Sequence, residues 1–263
     1  MIDLDTLLEN PWIAHAEHHH VLESTQIRSR ELANQIDGQR IKLPTLIVAD
    51  RQTAGRGRGA NQWWTGDGSL ALSLLIDPQQ FGFPCRAVPR LSLAVGVALV
   101  DALAPQLVEH QLGLHWPNDL YVGPRKLAGI LVEVLPNGLH IIGIGLNSNN
   151  SAANAPPELR HSVATLLDLT GKSHDHTDLL LAILENIEAA LHQLQEPVET
   201  LGGRFDLLCR QHGQTLTVYQ GDRATTGRCG GIASDGALIL DTPAGRQSFY
   251  SGTLQPPNIQ SNI

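Results

Sequence analysis

The residues best suited to chemistry lie in Arg51-Gln52-Thr53-Ala54-Gly55-Arg56-Gly57-Arg58, three arginines in a Gly-containing stretch. The chain as a whole is acidic, with 18 Lys+Arg against 26 Asp+Glu. A local concentration of positive charge in such a chain needs a local reason, and an anionic ligand supplies one. Glycine lets backbone N–H groups approach an anion, and arginine offers its oxygens a planar fork. Arg56 and Arg58 are two apart, so on an extended segment they point the same way and suit two oxygens of one anion. Taken alone, the stretch fits a solvated surface loop equally well. Two sharper phosphate motifs fail on context. Gly55-x-Gly57-x-x-Ala60 has the form of a dinucleotide fingerprint, but glycines and the Trp63-Trp64 pair follow it where a helix must begin. Thr170-Gly171-Lys172-Ser173 ends like a P-loop, yet Leu166 stands where the earlier glycine is required.

Other candidates become meaningful once the elements that carry them are placed. Thr45-Leu46-Ile47-Val48-Ala49 reads as a buried strand feeding the arginine loop. Ser24-Thr25-Gln26 opens a helix through Ile36, with Ser24 or Thr25 as N-cap. Residues 69–76 form a strand, and Pro89 opens a long amphipathic helix with Leu91, Val95, Ala98, Leu99 and Ala102 in one row. In His115-Trp116-Pro117-Asn118-Asp119, Pro117 keeps Trp116 out of the helical region and Asn-Asp favours a turn, so polar side chains stand on a corner. Lys126-Leu127-Ala128-Gly129-Ile130-Leu131 begins a strand to Val134. Pro136-Asn137-Gly138 turns it back as a type I′ hairpin, and the return strand ends in Gly143-Ile144-Gly145-Leu146-Asn147. That hairpin brings Lys126 and Asn147 to the same edge of a sheet.

Before these elements, residues 1–20 hold one short helix and an apolar arm through Trp12 and Ile13. After them come helices near 162–170, 177–195 and 198–211, with Gly171 as a stop. From Gly213 the texture changes to short strands at 215–219, 225–233, 237–240 and 246–249, the size of a small SH3-like β-barrel, with a frayed end from Pro256. The 263 residues therefore divide at 1–211 and 212–263.

Composition narrows the class. A net charge of −8 opposes broad nucleic-acid or membrane-surface binding, and no run approaches a transmembrane length. Cys85, Cys209 and Cys229 are odd in number and widely spaced, which reads as reduced thiols of a cytoplasmic protein. His18-His19-His20 attracts attention as a metal site, but adjacent side chains point apart on regular structure, so no protein metal ligand is expected.

In order along the chain, Ser24-Thr25, Gln52 to Arg58 with Trp63, Trp116 to Asp119, Lys126 to Leu131 and Gly143 to Asn147 together resemble the biotin protein ligases. The resemblance spans about residues 22–252. It implies an α+β fold: a mixed β-sheet with flanking helices like that of class II aminoacyl-tRNA synthetases, followed by an SH3-like barrel. It implies that biotin is activated with ATP to biotinyl-5′-adenylate and transferred to a lysine of a biotin carboxyl carrier protein domain, with Mg²⁺ shielding the triphosphate. The biotin-contacting positions carry over to Ser24, Thr25, Gln26, Gln52, Arg56, Gly57, Arg58, Lys126 and Gly129. The nucleotide side carries over to Arg56, Arg58, Trp63, Asn118, Lys126 and Asn147. Lys126, Arg56, Arg58 and Asp119 are the catalytic set, Asp119 accepting the carrier lysine's proton or, in the plainer reading, capping a turn.

The sequence departs from the family pattern at His115, where lysine is common, and at Gln26, one methylene longer than the common asparagine. Gly59-Ala60-Asn61 is less basic than the corresponding run of some members. Three other readings share the resemblance: a lipoate ligase or octanoyl transferase, a biotin-responsive DNA-binding repressor, and a non-catalytic biotin-binding regulator. An acidic chain with no room for a DNA-binding module opposes the repressor. The expected assembly is a monomer or homodimer.

Overall fold

The computed structural model describes residues 2–34, 42–83 and 88–254. Ile36, Cys85 and the chain end from Pro256 lie outside the described residues, and with them the expectations placed there. Two sheets organise the chain. The larger has seven strands: β1 (His15–Leu22), β2 (Thr45–Gln52), β3 (Leu70–Ile76), β4 (Leu112–His115), β5 (Asp119–Val122), β6 (Arg125–Val134) and β7 (His140–Leu146). Their order is β1-β2-β3-β7-β6-β5-β4, with β1 and β2 parallel and the other pairs antiparallel, so the sheet is mixed.

The helices are α1 (Leu4–Leu8), α2 (Thr25–Asn34), α3 (Val88–Leu103), α4 (Leu166–Thr170), α5 (His176–Gln193) and α6 (Glu199–Leu207). They cover the sheet unequally. Strand β3 is buried throughout, and its alternate residues part to two cores. Leu70, Leu72, Leu74 and Ile76 join Ile142 and Ile144 beneath α3 and α5, whereas Leu75 and Ile141 join Ala33 of α2. The α2 face is the leaner one. On it Ser73 pairs with Gly143, Ala71 with Gly145, and Gly129 with Gly145, which leaves a depression in the middle of the sheet.

The second sheet is antiparallel, β11-β10-β9-β8-β12, from β8 (Thr215–Gln220), β9 (Arg223–Ile232), β10 (Leu238–Thr242), β11 (Gly245–Phe249) and β12 (Thr253–Leu254). Phe205 of α6 is fully buried and shares one core with Val218, Ile232, Leu238 and Leu240, so apolar packing is continuous between the two parts.

Four strands escape the periodicity reading, the two-residue β12 among them. His15–Leu22 is polar and half-exposed, and Leu112–His115 and Asp119–Val122 are four residues each. The turn at Pro136-Asn137-Gly138 is not type I′, because only Gly138 has positive φ (87°). Pro136 presets the negative φ of a type I turn, Gly138 N–H bonds to the Leu135 carbonyl, and the glycine closes the hairpin as a bulge. The helix expected from 162 begins at Leu166: Val163 pairs with Lys126, and Thr165 caps the helix through the Asp168 N–H. The expected 198–211 helix ends at Leu207, after which Cys209 pairs alongside Leu114 at the β4 edge.

Strand β1 is pinned to α2 by charge. Arg28 spans both carboxylate oxygens of Glu17 at 2.9 Å, and His19 lies 2.8 Å away. Arg28, opposed by partial burial and helped by His19, holds the Glu17 carboxyl down at about 2. That contribution is complete above the ordinary glutamate value near 4.5 and is lost as the pH falls toward about 2. Glu17→Gln is therefore expected to flatten the loss of melting temperature across that acid window. Melting curves of equal slope for both proteins between those pH values would remove the ion pair from the acid response.

Candidate active site

The parallel pairing of β1 and β2 sets the site. Leu22 lies beside Gln52, and the ladder continues past both strands, with Thr53 N–H to the Leu22 carbonyl and Ala54 N–H to the Glu23 carbonyl, each 2.9 Å. Ser24-Thr25-Gln26 and the arginine loop therefore leave the sheet side by side. Ser24 caps α2, accepting from Gln26 N–H at 3.3 Å. The Gln52 side-chain oxygen accepts from the Thr25 N–H (2.8 Å) and Thr25 hydroxyl (3.2 Å). Ser73 Oγ lies 2.8 Å from the same hydroxyl and 3.1 Å from Gln26 Oε1, while Gln26 Nε2 donates to the Leu131 carbonyl at 3.3 Å. The extra methylene of Gln26 is accommodated by Gly143, where a Cβ would stand 2.4 Å from Gln26 Oε1. Together these groups form a buried, connected polar end to a cavity of about 900 Å³.

The loop folds over that cavity. Gly57 N–H bonds to the Asn61 carbonyl and Trp63 N–H to the Gly55 carbonyl, both 2.9 Å, with Arg56 paired to Gln62 between them. Arg56 and Arg58 both line the cavity. Arg56 is exposed, whereas Arg58 donates to the Asn118 side chain (3.3 Å) and to the Gly252 carbonyl (2.9 Å) in the second part of the chain. Burial lowers the Arg58 pKa while Asp119 opposes it, and the guanidinium remains charged throughout the ordinary pH range.

Trp63 lies flat against the strands. A Cβ on Gly145 would fall 2.3 Å from its ring, and one on Gly129 would fall 3.1 Å from it. The indole N–H is buried and unpartnered among the described residues. Lys126 Nζ lies 5.5 Å from the ring centroid and 2.8 Å from Asp119 Oδ1. Asn118 uses its amide to hold β6, donating to the Ile130 carbonyl. Asn147 is near Lys126, as the hairpin predicts, but does not line the cavity. It is buried beneath, with its side chain 3.4 Å from the Lys126 carbonyl and its N–H bonded to Leu127.

Thirteen candidate residues were singled out by sequence reading, and all but Asn147 line this one cavity. Several lining or supporting residues were missed. Ser73 had a readable signal, as a lone hydroxyl in an otherwise apolar buried strand. His115 stacks on Tyr121 at 4.5 Å between ring centroids. Burial pushes the His115 pKa down, against Asp119, with Lys126 adding to the depression, so the ring is neutral at pH 7. Burial, then Asp119, pushes the Tyr121 phenol up to about 12. Gln211 holds the Trp116 N–H at 2.7 Å, Arg210 lines the cavity beside it, and Gln214, Thr253 and Leu254 bring the second part of the chain to the cavity. No local motif marks these.

Residues 21–149 match the Biotin/lipoate A/B protein ligase family, and residues 212–254 match the Biotin protein ligase C terminal domain. The Bifunctional ligase/repressor BirA of Bacillus subtilis is 30% identical over 250 residues, covering 92% of this chain and 74% of that protein. The Biotin--[acetyl-CoA-carboxylase] ligase of Mycobacterium tuberculosis is 31% identical over 199 residues, covering 74% of this chain and 73% of that one. Among solved structures, the biotin protein ligase from Aquifex aeolicus in complex with biotin and ATP matches with a TM-score of 0.77 at 28% identity, covering 92% and 97% of the two chains. The chain belongs to the biotin/lipoate A/B protein ligase family. Within that family it is an enzyme of the biotin protein ligase kind.

The contact between Trp63 and the strands gives a direct test. Gly145→Ala places a methyl group inside the indole, so the ring must lift; a stability loss of about 1–3 kcal/mol is expected from such overpacking. Acrylamide quenching of tryptophan fluorescence should rise, and the rise should vanish when Trp63→Phe is added. Unaltered quenching and stability in Gly145→Ala would mean the ring is not held there.

Proposed function

We propose that the protein activates biotin with MgATP to biotinyl-5′-adenylate and transfers the biotinyl group to a lysine of a biotin carboxyl carrier protein domain. The observation that carries this reading is one cavity with a neutral polar end at Thr25, Gln26 and Gln52 and a cationic end at Arg56, Arg58 and Lys126. A ureido ring needs both donors and acceptors, which hydroxyl and amide side chains offer. The carboxylate and the phosphates then fall toward the cations.

In the first step a biotin carboxylate oxygen bonds to the α-phosphorus, and the bond to the β-phosphate oxygen breaks to release pyrophosphate. Two anions must approach in a partly closed site, and Arg56, Arg58 and Lys126 offset their repulsion and the charge on the reacting phosphoryl group. Mg²⁺ would be carried by the nucleotide and would shield its phosphate charge. Among lining residues the carboxylates are Asp119 and Glu158, and Asp119 is engaged by Lys126, so phosphate oxygens and water suit the ion better. We read Trp63, flat on the glycine floor with its N–H unpartnered among the described residues, as the adenine shelf.

In the second step the carrier lysine nitrogen bonds to the acyl carbon, and the acyl–oxygen bond to AMP breaks. A free lysine has a pKa of about 10.4, so its proton must be removed. As Lys126 turns to the adenylate phosphate, Asp119 is released to orient the amine and accept that proton. Asn118 and Asn147 act here by holding β6 and Lys126. We read residues 1–211 as a class II synthetase-like catalytic unit and 212–263 as an SH3-like barrel. An odd number of cysteines with no C-x-x-C pair fits the cytoplasmic setting we assign.

Pyrophosphate release from MgATP, compared with biotin, lipoate and octanoate, tests the reading. Release with biotin alone is expected, and release with lipoate or octanoate instead would move the protein to the sister chemistry. Lys126→Ala should reduce adenylate formation about 10²–10³-fold with the fold intact. Asp119→Asn should spare pyrophosphate release more than transfer to the carrier; equal losses in both steps would end its assignment as the base.

A further inference from the structure

We propose that His18, His20 and Asp50 form a binding site for one divalent late transition-metal ion of the zinc class, outside the ligase cavity. Adjacent histidines do point apart: His19 turns to Glu17 and Arg28 on the α2 side. His18 and His20, however, are two apart on β1 and share the other face. Parallel register completes the set. His18 pairs with Val48, His19 with Ala49 and Val21 with Arg51, so Asp50 falls beside His20.

The donor atoms already converge. His18 Nε2 lies 2.7 Å from Asp50 Oδ1, and His20 Nδ1 lies 2.8 Å from Asp50 Oδ2. One ligand atom from each residue lies within 4.8 Å of the others. Zinc binds imidazole nitrogen at about 2.0–2.1 Å, so its tetrahedral ligands stand about 3.3 Å apart, against at most 4.8 Å among these three. Two imidazoles and one carboxylate favour zinc, nickel, copper or cobalt over magnesium or calcium, and three ligands leave room for water. The plain alternative is a His–Asp–His hydrogen-bonded cluster that never takes a metal.

The location gives such a site a consequence. His20 and Asp50 sit near the ends of the parallel pair, just before Ser24-Thr25-Gln26 and Gln52. An ion here ties the two strands whose ends form the polar end of the cavity, and one that binds only the folded chain raises its stability by mass action. The proposal stands on this cluster alone and does not depend on the ligase chemistry.

The test uses the full chain stripped with a chelator, titrated with Zn²⁺ by calorimetry and with Co²⁺ by visible absorption. One ion per chain is expected, with a rise in melting temperature. His18→Ala, His20→Ala and Asp50→Asn should each weaken binding at least tenfold and cancel the thermal shift, while His19→Ala leaves both unchanged. His20 is largely exposed, so His20→Ala keeps the test valid if either other variant fails to fold. Absence of a one-to-one event, or an event unaffected by His20→Ala, or one equally lost in His19→Ala, would overturn the site.

Discussion

Close approach to the sheet is the constraint on which the site depends. Trp63, Gln26 and Lys126 all lie against strand backbone, and each can do so because the positions beneath lack a side chain. Gly145 and Gly129 underlie the indole, Gly143 underlies the Gln26 amide, and Gly129 also underlies the end of the Lys126 side chain. On the opposite face the same strands carry Leu72, Leu74, Ile130, Ile142 and Ile144, packed under α3 and α5. One face of the sheet thus holds the molecule together, while the other is emptied to hold a ligand. The asymmetry is an alternation of two, the natural period of a strand.

The second requirement is electrostatic. In an acidic chain, Arg56, Arg58 and Lys126 face one cavity, and Asp119 moderates them. Asp119 lies 2.8 Å from Lys126, supports the charge on Arg58, and helps raise the Tyr121 phenol to about 12. Without ligand this carboxylate stands in for an anion and prevents the cations from facing one another unscreened. Its place as counter-ion to Lys126 and Arg58 therefore follows from its position at the start of β5.

Much of this was legible in the sequence because the responsible residues are locally unusual. The arginines stand out against an acidic background, Gly143 and Gly145 break a strand pattern, and Pro117 marks a corner. The apolar strands β2, β3, β6 and β7 and the helices α3 and α5 follow their periodicities. What escaped was structure imposed by partners. Strand β1 is His-rich and half-exposed, and it exists because β2 supplies a ladder and Arg28 supplies an ion pair. Strands β4 and β5 are too short to show a period. The short helix α4 yields four expected residues to the segment beside Lys126, where Val163 pairs. Asn147 was placed correctly beside Lys126, but spacing gives proximity without direction, and its side chain points into the strand support.

The least legible feature is the participation of the second sheet. Its strands read clearly as a separate small unit, yet Arg58 reaches the Gly252 carbonyl beside β12, and Gln211, on the segment leading into β8, holds Trp116. Both contacts join residues about a hundred or more positions apart, and no local pattern encodes them. Their effect is nonetheless specific. Gln211 fixes the corner that carries Asn118 and Asp119, and Gly252 fixes one arm of the Arg58 fork. The arginine loop is thus tied to the second sheet through a single guanidinium that also faces the cavity. A neutral carbonyl is a weaker partner for a guanidinium than a charged acceptor, so Arg58 is held by a modest bond while it still faces the cavity.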